Sequence, residues 1–134
     1  MRTPSQTVGP FFSFALCQEP QNELPGGTVR VGGQVLDGQG APVPDALLEL
    51  WSPAHGFGRC PTDGEGRYAF LVPADVDGFE LMVFARGLLK PAVTRLYLER
   101  AAAEDETMVA RRDDRGYRFD VRLQGDDATG FFDL

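Results

Sequence analysis

The feature that most constrains the fold is a series of short runs in which apolar and polar residues alternate between glycines and prolines. In residues 29–35 every second position is apolar or small, which is typical of a strand with one buried face. Residues 37–40 favour a tight turn, because Gly38 and Gly40 can adopt positive φ and Asp37 can bond its following backbone. Residues 46–51 are apolar at nearly every position, which predicts a hairpin partner strand that is covered on both faces or starts under a loop.

The same alternation recurs along the rest of the chain. Residues 62–72 combine an Asp-Gly turn with inward Tyr68, Phe70 and Val72, which predicts a second hairpin. Residues 79–87, 94–98 and 116–124 also alternate, and the last of these is the cleanest example. The 16 glycines and 10 prolines are spread between these runs, as in a turn-rich β protein. We therefore predict an all-β fold, an immunoglobulin-like or Greek-key β-sandwich.

One segment is a candidate helix. Residues 100–112 hold three consecutive alanines, acidic residues early and two arginines late, an order that suits the helix dipole. Its apolar stripe is thin, so we expect a short surface helix of two or three turns.

The chain divides by composition into an arm with a linker, residues 1–27, and a single domain, residues 28–134. Gly9-Pro10 sets a bend in the arm, and Phe11, Phe12 and Phe14 need an apolar surface to cover them. That surface is either the core of the same domain or another chain.

The overall charge limits the classes of partner. A net charge of −7 argues against nucleic acid, because affinity for phosphate comes from Lys and Arg. The first residues lack the apolar region of a secretion signal, and no apolar run approaches about 18 residues, so neither export nor a membrane span is expected. A cytoplasmic location is the expectation.

The residues alone reveal no self-contained active site. His55 is the single histidine, and with Cys60 it is too little for a zinc site. No nucleophile, metalloprotease or phosphate-loop motif occurs, and the paired carboxylates lie in turns or at the surface.

Several motifs in order along the whole chain resemble those of the intradiol ring-cleavage dioxygenases. They are TPSQTVGPFF at 3–12, GQVLDGQG at 33–40, PDALLELW at 44–51, FGR at 57–59, TD at 62–63, FARG at 84–87, TRLY at 94–97, YRFDVRLQG at 117–125 and FFD at 131–133. Each motif alone is weak, whereas their combination is specific. The resemblance implies a β-sandwich and an enzyme that opens catechol-type rings with O₂ between the two hydroxylated carbons.

The resemblance also implies a ferric ion, Fe(III), held in the family by two tyrosines and two histidines. The His-x-His pair would fall on Gly78 and Glu80, and neither is an imidazole. The loops after Trp51 and Val72, which would carry the ligand tyrosines, are short here. The chain therefore resembles the α subunit that lacks iron in hetero-oligomeric members, and its partner would be an iron-bearing β subunit.

In such members the α chain contributes to the wall of the partner's substrate pocket. The matching arm residues are Thr7, Gly9, Pro10 and Phe11, and Phe11 lacks the hydroxyl of the tyrosine that is common there. Arg86 of the FARG motif would approach the same pocket, or would form an ordinary surface salt bridge. We expect no catalytic residue and no metal ligand in this chain, and an inactive chain in isolation.

Two other classes of function stay open. Residues 31–46 and 62–68 also resemble transthyretin-like and carboxypeptidase-regulatory-like modules, which bind or space other domains. Those modules lack the arm and the YRFDVRLQG segment. A degenerate paralogue that self-associates without an iron-bearing partner is the third possibility.

Overall fold

A computed structural model describes residues 21–99, 103, 105–125 and 128–132 of the chain. Among these residues regular structure is almost entirely β, as predicted. The strands are β1 (Val29–Leu36), β2 (Leu47–Ser52), β3 (Gly56–Pro61), β4 (Arg67–Val72), β5 (Gly78–Phe84), β6 (Ala92–Tyr97), β7 (Arg111–Asp113), β8 (Gly116–Arg118) and β9 (Val121–Arg122).

The strands form two sheets that pack into the predicted sandwich. The first sheet has the order β4-β1-β8-β7, and β9 also pairs with β1. The second sheet has the order β3-β2-β5-β6. Alternate residues of both sheets point inward and are excluded from water, and this apolar burial is the main stabilising contribution. The largest fully buried side chains are Phe70, Leu24, Leu47, Leu48, Leu50, Leu81, Leu96, Val31, Val35, Val72, Val83 and Val121.

The two predicted hairpins are wrong, because each Asp-Gly turn carries the chain from one sheet to the other. At the first turn the amide of Asp37 donates to the carbonyl of Ala41 at 2.9 Å, so the chain does reverse. Pro42 then makes a single bridge to Leu36, after which β2 enters the second sheet. At the second turn β3 and β4 likewise belong to different sheets.

Strand β2 is covered on both faces at its start and on one face at its end. Leu47 and Leu48 lie on opposite faces and are both buried, whereas Trp51 is 42% exposed on the outer face. Of the two alternatives that the sequence offered, cover of both faces along the whole strand is therefore wrong, and a strand that is covered only at its start fits the structure.

The run 116–124 alternates as predicted but is not one strand. Phe119 and Val121 are buried, whereas Arg118 is exposed. The run breaks between β8 and β9 because Asp120 accepts the amide of Gln34 with its side chain, at 2.9 Å, in place of a backbone carbonyl.

The helix predicted over residues 100–112 is a single 3-10 turn, Glu106–Met108, within the described part of that range. The side chain of Asp105 accepts from the Thr107 amide and caps the turn. Val109 is extended and bridges Tyr97, and β7 begins at Arg111. Pairing with both sheets therefore overrides the helical propensity of the segment.

The end of the predicted linker is held on the sandwich. The amide of Arg59 in β3 donates to Gln21 at 2.7 Å, and the amide of Leu71 in β4 donates to Asn22 at 2.9 Å. Leu24 is fully buried between the sheets. Residues 21–24 thus tie an edge strand of one sheet to an edge strand of the other. Among the described residues, no helix has the length and apolar character to cross a bilayer.

Two adjacent glycines of β1 give a matched test of this packing. A Cβ at Gly33 would collide with the backbone carbonyl of Phe119, whereas a Cβ at Gly32 would meet only the flexible end of Arg30. We expect Gly33→Ala to lower the free energy of unfolding by about 2–3 kcal/mol and Gly32→Ala by less than about 1 kcal/mol. Denaturant unfolding of the purified protein measures both. Equal losses would contradict the assigned close approach.

Candidate functional site

The start of β5 holds the two positions that the family resemblance assigns to histidine ligands. Phe79 is buried, so Gly78 and Glu80 on either side of it face outward from the second sheet. Gly78 lies opposite Tyr97 of β6. Glu80 lies between Trp51 of β2 and Arg95 of β6. Both positions therefore lie on the outer surface of the second sheet, next to side chains of β2 and β6.

The ring of Tyr97 occupies the space next to Gly78. A Cβ at Gly78 would lie 2.8 Å from Cδ1 of Tyr97, closer than real Cβ atoms approach. Tyr97 is only 8% exposed, and its hydroxyl accepts from the Arg95 guanidinium at 3.4 Å. Glycine at position 78 is thus what lets the aromatic ring lie against the sheet.

The donor set does not fit a ferric ion held by two tyrosines and two histidines. His55 lies in the β2–β3 turn with Nε2 3.5 Å from a carboxylate oxygen of Asp75. The hydroxyl of Tyr117 accepts from Arg112 at 3.3 Å, on the other sheet. Within the described ranges, no three His, Cys, Asp or Glu side chains are grouped so that they could hold a metal ion.

Tyr68 is a structural residue. Its ring is 4% exposed, and its hydroxyl donates to the carbonyl of Phe119. Burial raises the pKa of the Tyr68 phenol well above its usual value, and the nearby charge of Asp120 raises it further. The buried hydroxyl is engaged by the Phe119 carbonyl, so the structure gives Tyr68 a packing role and does not present its oxygen at the surface.

Arg86 lies at the opposite end of β5, in the turn that follows Ala85. Gly87 has a φ of 88°, and the amide of Leu88 donates to Ala85 at 3.2 Å, which closes the turn. The Arg86 guanidinium is 3.0 Å from Asp45, which lies two residues before β2. A surface salt bridge is one of the two alternatives that the sequence leaves for Arg86, and this ion pair is such a salt bridge.

The Arg86–Asp45 pair leaves most of the guanidinium available. The Arg86 side chain is 64% exposed, and its Nη2 lies 3.0 Å from Oδ2 of Asp45. The pair borders an open depression of about 360 Å³ between the turns of the two sheets, with Leu88 and Leu123 among its apolar walls. A second carboxylate could therefore bind Arg86 while Asp45 holds its position.

Of the predicted site residues, the structure describes Arg86. Thr7, Gly9, Pro10 and Phe11 lie outside the described residues, so only Arg86 of that set is placed. Sequence reasoning missed Asp45 as the partner of Arg86 and Tyr97 as the neighbour of Gly78. The Asp45 carboxylate follows Pro44 in the PDALLELW motif, but nothing in its spacing indicates which side chain it meets.

Comparison with known proteins finds relatives along nearly the whole chain, among them two alpha chains. One is the protocatechuate 3,4-dioxygenase alpha chain of Burkholderia cepacia, 33% identical over 192 aligned positions that cover 99% of this chain and 98% of the relative. The other is the alpha chain of the same enzyme from Pseudomonas putida, 31% identical, with 98% and 96% covered. The first alignment is longer than the 134 residues here, so that relative contains internal segments that this chain lacks. No family model matches.

Solved structures show the same fold at lower identity. The dioxygenase domain of a carbohydrate-binding fusion protein from Streptomyces sp. SirexAA-E has a TM-score of 0.60 and 22% identity, and 93% of this chain aligns with 99% of that one. Catechol 1,2-dioxygenase from Pseudomonas arvilla C-1 has a TM-score of 0.56 and 20% identity. The alignment covers 97% of this chain but only 63% of that enzyme.

The structural role of Tyr68 has a pH signature. Its pKa is higher folded than unfolded, so its contribution is complete below about pH 10 and is lost as pH rises above that value. We expect Tyr68→Phe to cost about 1–3 kcal/mol at neutral pH and to flatten the alkaline loss of stability. Urea unfolding at neutral and alkaline pH measures both, with Tyr117→Phe as the control. A Tyr68→Phe protein with the stability and alkaline profile of the wild type would contradict the role.

Proposed function

The chain belongs to the intradiol ring-cleavage dioxygenase family, and from this premise we propose that it is the α subunit of an enzyme of the protocatechuate 3,4-dioxygenase type. It binds no iron and shapes the substrate pocket of an iron-bearing β chain. The substrates of the complex are a catechol-type aromatic and O₂. The isolated chain is inactive.

The observation that carries this proposal is the pair of alignments with alpha chains. Identity of 31–33% extends over nearly the full length of both this chain and its relatives, rather than over the sandwich alone. A subunit called alpha implies a differently named partner in the same enzyme. Transthyretin-like modules would not be expected to align with these chains from end to end.

The absence of iron from this chain follows from its donor groups. Its 134 residues hold a single histidine, so a two-histidine site cannot be completed within it. The two positions of β5 that match the histidine ligands of the family are Gly78, which lies beside the ring of Tyr97, and Glu80. Without two imidazoles and two tyrosinates the ion would be lost to water and hydroxide.

The contribution of this chain is to bind and orient the substrate. We expect Gly9-Pro10 to bend the arm, so that Thr7 and Phe11 line the partner's pocket with a hydroxyl and an apolar ring. Arg86, held at 3.0 Å from Asp45, presents its remaining N–H groups to a substrate carboxylate. The planar guanidinium stays charged at any working pH and suits that group.

One observation favours a second candidate, a self-associating paralogue without catalysis. The relatives contain internal segments that this chain lacks, and the turns at Trp51 and Val72 are short. A chain trimmed in this way could have lost the contacts that its relatives use with a partner.

Affinity purification of the tagged chain from its native cells separates the two candidates. We expect a second chain with a His-x-His motif to copurify and the complex to contain iron in proportion to that chain. The chain expressed alone should contain no stoichiometric iron and show no tyrosinate-to-iron absorption band. Stoichiometric iron in the chain alone would overturn the proposal, and self-association with no second chain would favour the paralogue.

Arg86→Ala in the assembled complex tests the contribution to the pocket. A charge-assisted hydrogen bond is worth about 1.5–3 kcal/mol, so kcat/KM for a carboxylated catechol should fall roughly 10- to 100-fold. Plain catechol should lose much less, and iron content should not change.

Asp45→Asn is the matched control for this variant, because it breaks the same ion pair and leaves the guanidinium in place. If Arg86 acts only through that pair, both variants will change melting temperature and activity alike. A specific loss for the carboxylated substrate in Arg86→Ala alone would support the proposed role.

A further inference from the structure

The outer face of the first sheet concentrates positive charge in an acidic protein. The chain has 20 acidic and 13 basic residues, yet six of the basic ones line two adjoining depressions there. The strand register explains this grouping, since Arg118 lies beside Gly32 of β1 and opposite Arg111 of β7. The six are Arg30, Arg67, Arg111, Arg115, Arg118 and Arg122.

The depression over β1 has a floor with little side-chain cover. Gly32 and Gly33 form this floor, and its volume of about 470 Å³ falls within the range of small-ligand sites. The guanidinium of Arg30 lies over Gly32, with Nη2 2.7 Å from where a Cβ would be. Glycine at this position therefore allows a charged group to lie flat on the sheet.

Most of the charge in this depression is not neutralised. Arg30, Arg67 and Arg115 form no ion pair with any carboxylate of the described chain. Arg118, in contrast, has Nη2 3.1 Å from Oδ1 of Asp120 and also donates to Gln34 at 3.3 Å.

The nearby acidic group is engaged in the backbone of a turn. Asp113 lines the same depression, and its Oδ1 accepts the amide of Arg115 at 2.8 Å. Asp63 is a second nearby carboxylate, because its pKa is lowered by the backbone amide of Arg67 and also by the charge of the Arg67 side chain. Arg30, Arg67 and Arg115 form no ion pair with either carboxylate, so positive charge remains in excess in this depression.

We propose that this depression, formed by Arg30, Arg67, Arg115 and Arg118 above Gly32 and Gly33, binds a small polycarboxylate. Guanidinium groups donate paired hydrogen bonds to carboxylates, and three of them without partners suit a ligand with several. The concave shape and limited volume favour a small molecule over a protein surface.

The reaction of the proposed function would supply a small polycarboxylate as its product. This source of the ligand rests on the proposed function, whereas the binding site itself does not. Opening a carboxylated catechol with O₂ breaks the bond between the two hydroxylated carbons, and each gains one oxygen to become a carboxylate. With the carboxylate already on the ring, the product carries three. The site would then be one that responds to accumulated product.

Calorimetric titration of the protein, in the assembly in which it purifies, tests the site directly. Citrate serves as the tricarboxylate and acetate as the monocarboxylate, at matched ionic strength. We expect citrate to bind and acetate not to bind measurably. Arg30→Gln/Arg67→Gln should weaken citrate binding by about tenfold or more. The measurement needs no iron and no turnover, so its failure is distinct from a failure of the proposed function.

The matched control removes the same number of charges elsewhere. Lys90 and Arg95 lie on the second sheet or its turn, away from the depression, so Lys90→Gln/Arg95→Gln should leave citrate binding within about twofold. Equal weakening by both double variants, or no binding of citrate, would overturn the proposal. Tighter binding of inorganic pyrophosphate or of a glutamate-rich peptide would overturn the ligand class.

Discussion

The carbonyl of Phe119 is the group on which the first sheet depends. It lies against Gly33, where any side chain would collide with it, and it accepts the buried hydroxyl of Tyr68. The amide of the same residue donates to Gly32 at 2.9 Å. The chain can therefore leave β8 and begin β9 while staying on β1, and β4 is joined to the same point. A buried carbonyl in this position would be costly without the tyrosine, since burial removes its access to water.

Period-2 patterns predict which face of a strand is buried, but they do not specify its partner. Tyr68, Phe70 and Val72 point inward as their spacing predicts. The turns before β2 and before β4 looked like hairpin turns because the same Asp-Gly chemistry serves any tight reversal. Whether the next strand pairs or crosses to the other sheet is decided by packing of the whole core. The 3-10 turn at Glu106–Met108 has the same cause, because Val109 and Ala110 pair with Tyr97 instead of continuing a helix.

At the candidate site, too, the sequence pattern identifies single residues but not the residues that they contact. Arg86 could be chosen from the sequence because it stands in a motif, and the turn around it follows from Gly87. Its contact with Asp45 joins residues far apart in the chain, and only the pairing of β2 with β5 brings them together. Tyr97 lies beside Gly78 for a similar reason, since β6 pairs with β5 in a register that no local pattern specifies. Local chemistry therefore identified a charged group, and topology determined what it meets.

The two outer faces of the sandwich differ in how readily each accepts a larger residue in place of a glycine. The guanidinium of Arg30 lies over Gly32 of the same strand. The ring of Tyr97 lies over Gly78 of the strand that pairs with its own. At Gly32 the obstacle is the end of a flexible side chain, so the surface can adapt to a larger residue at little cost. At Gly78 the obstacle is a nearly buried aromatic ring, and an imidazole there would have to displace it. A single substitution at position 78 therefore cannot turn this face into a metal site, because Tyr97 would have to change as well.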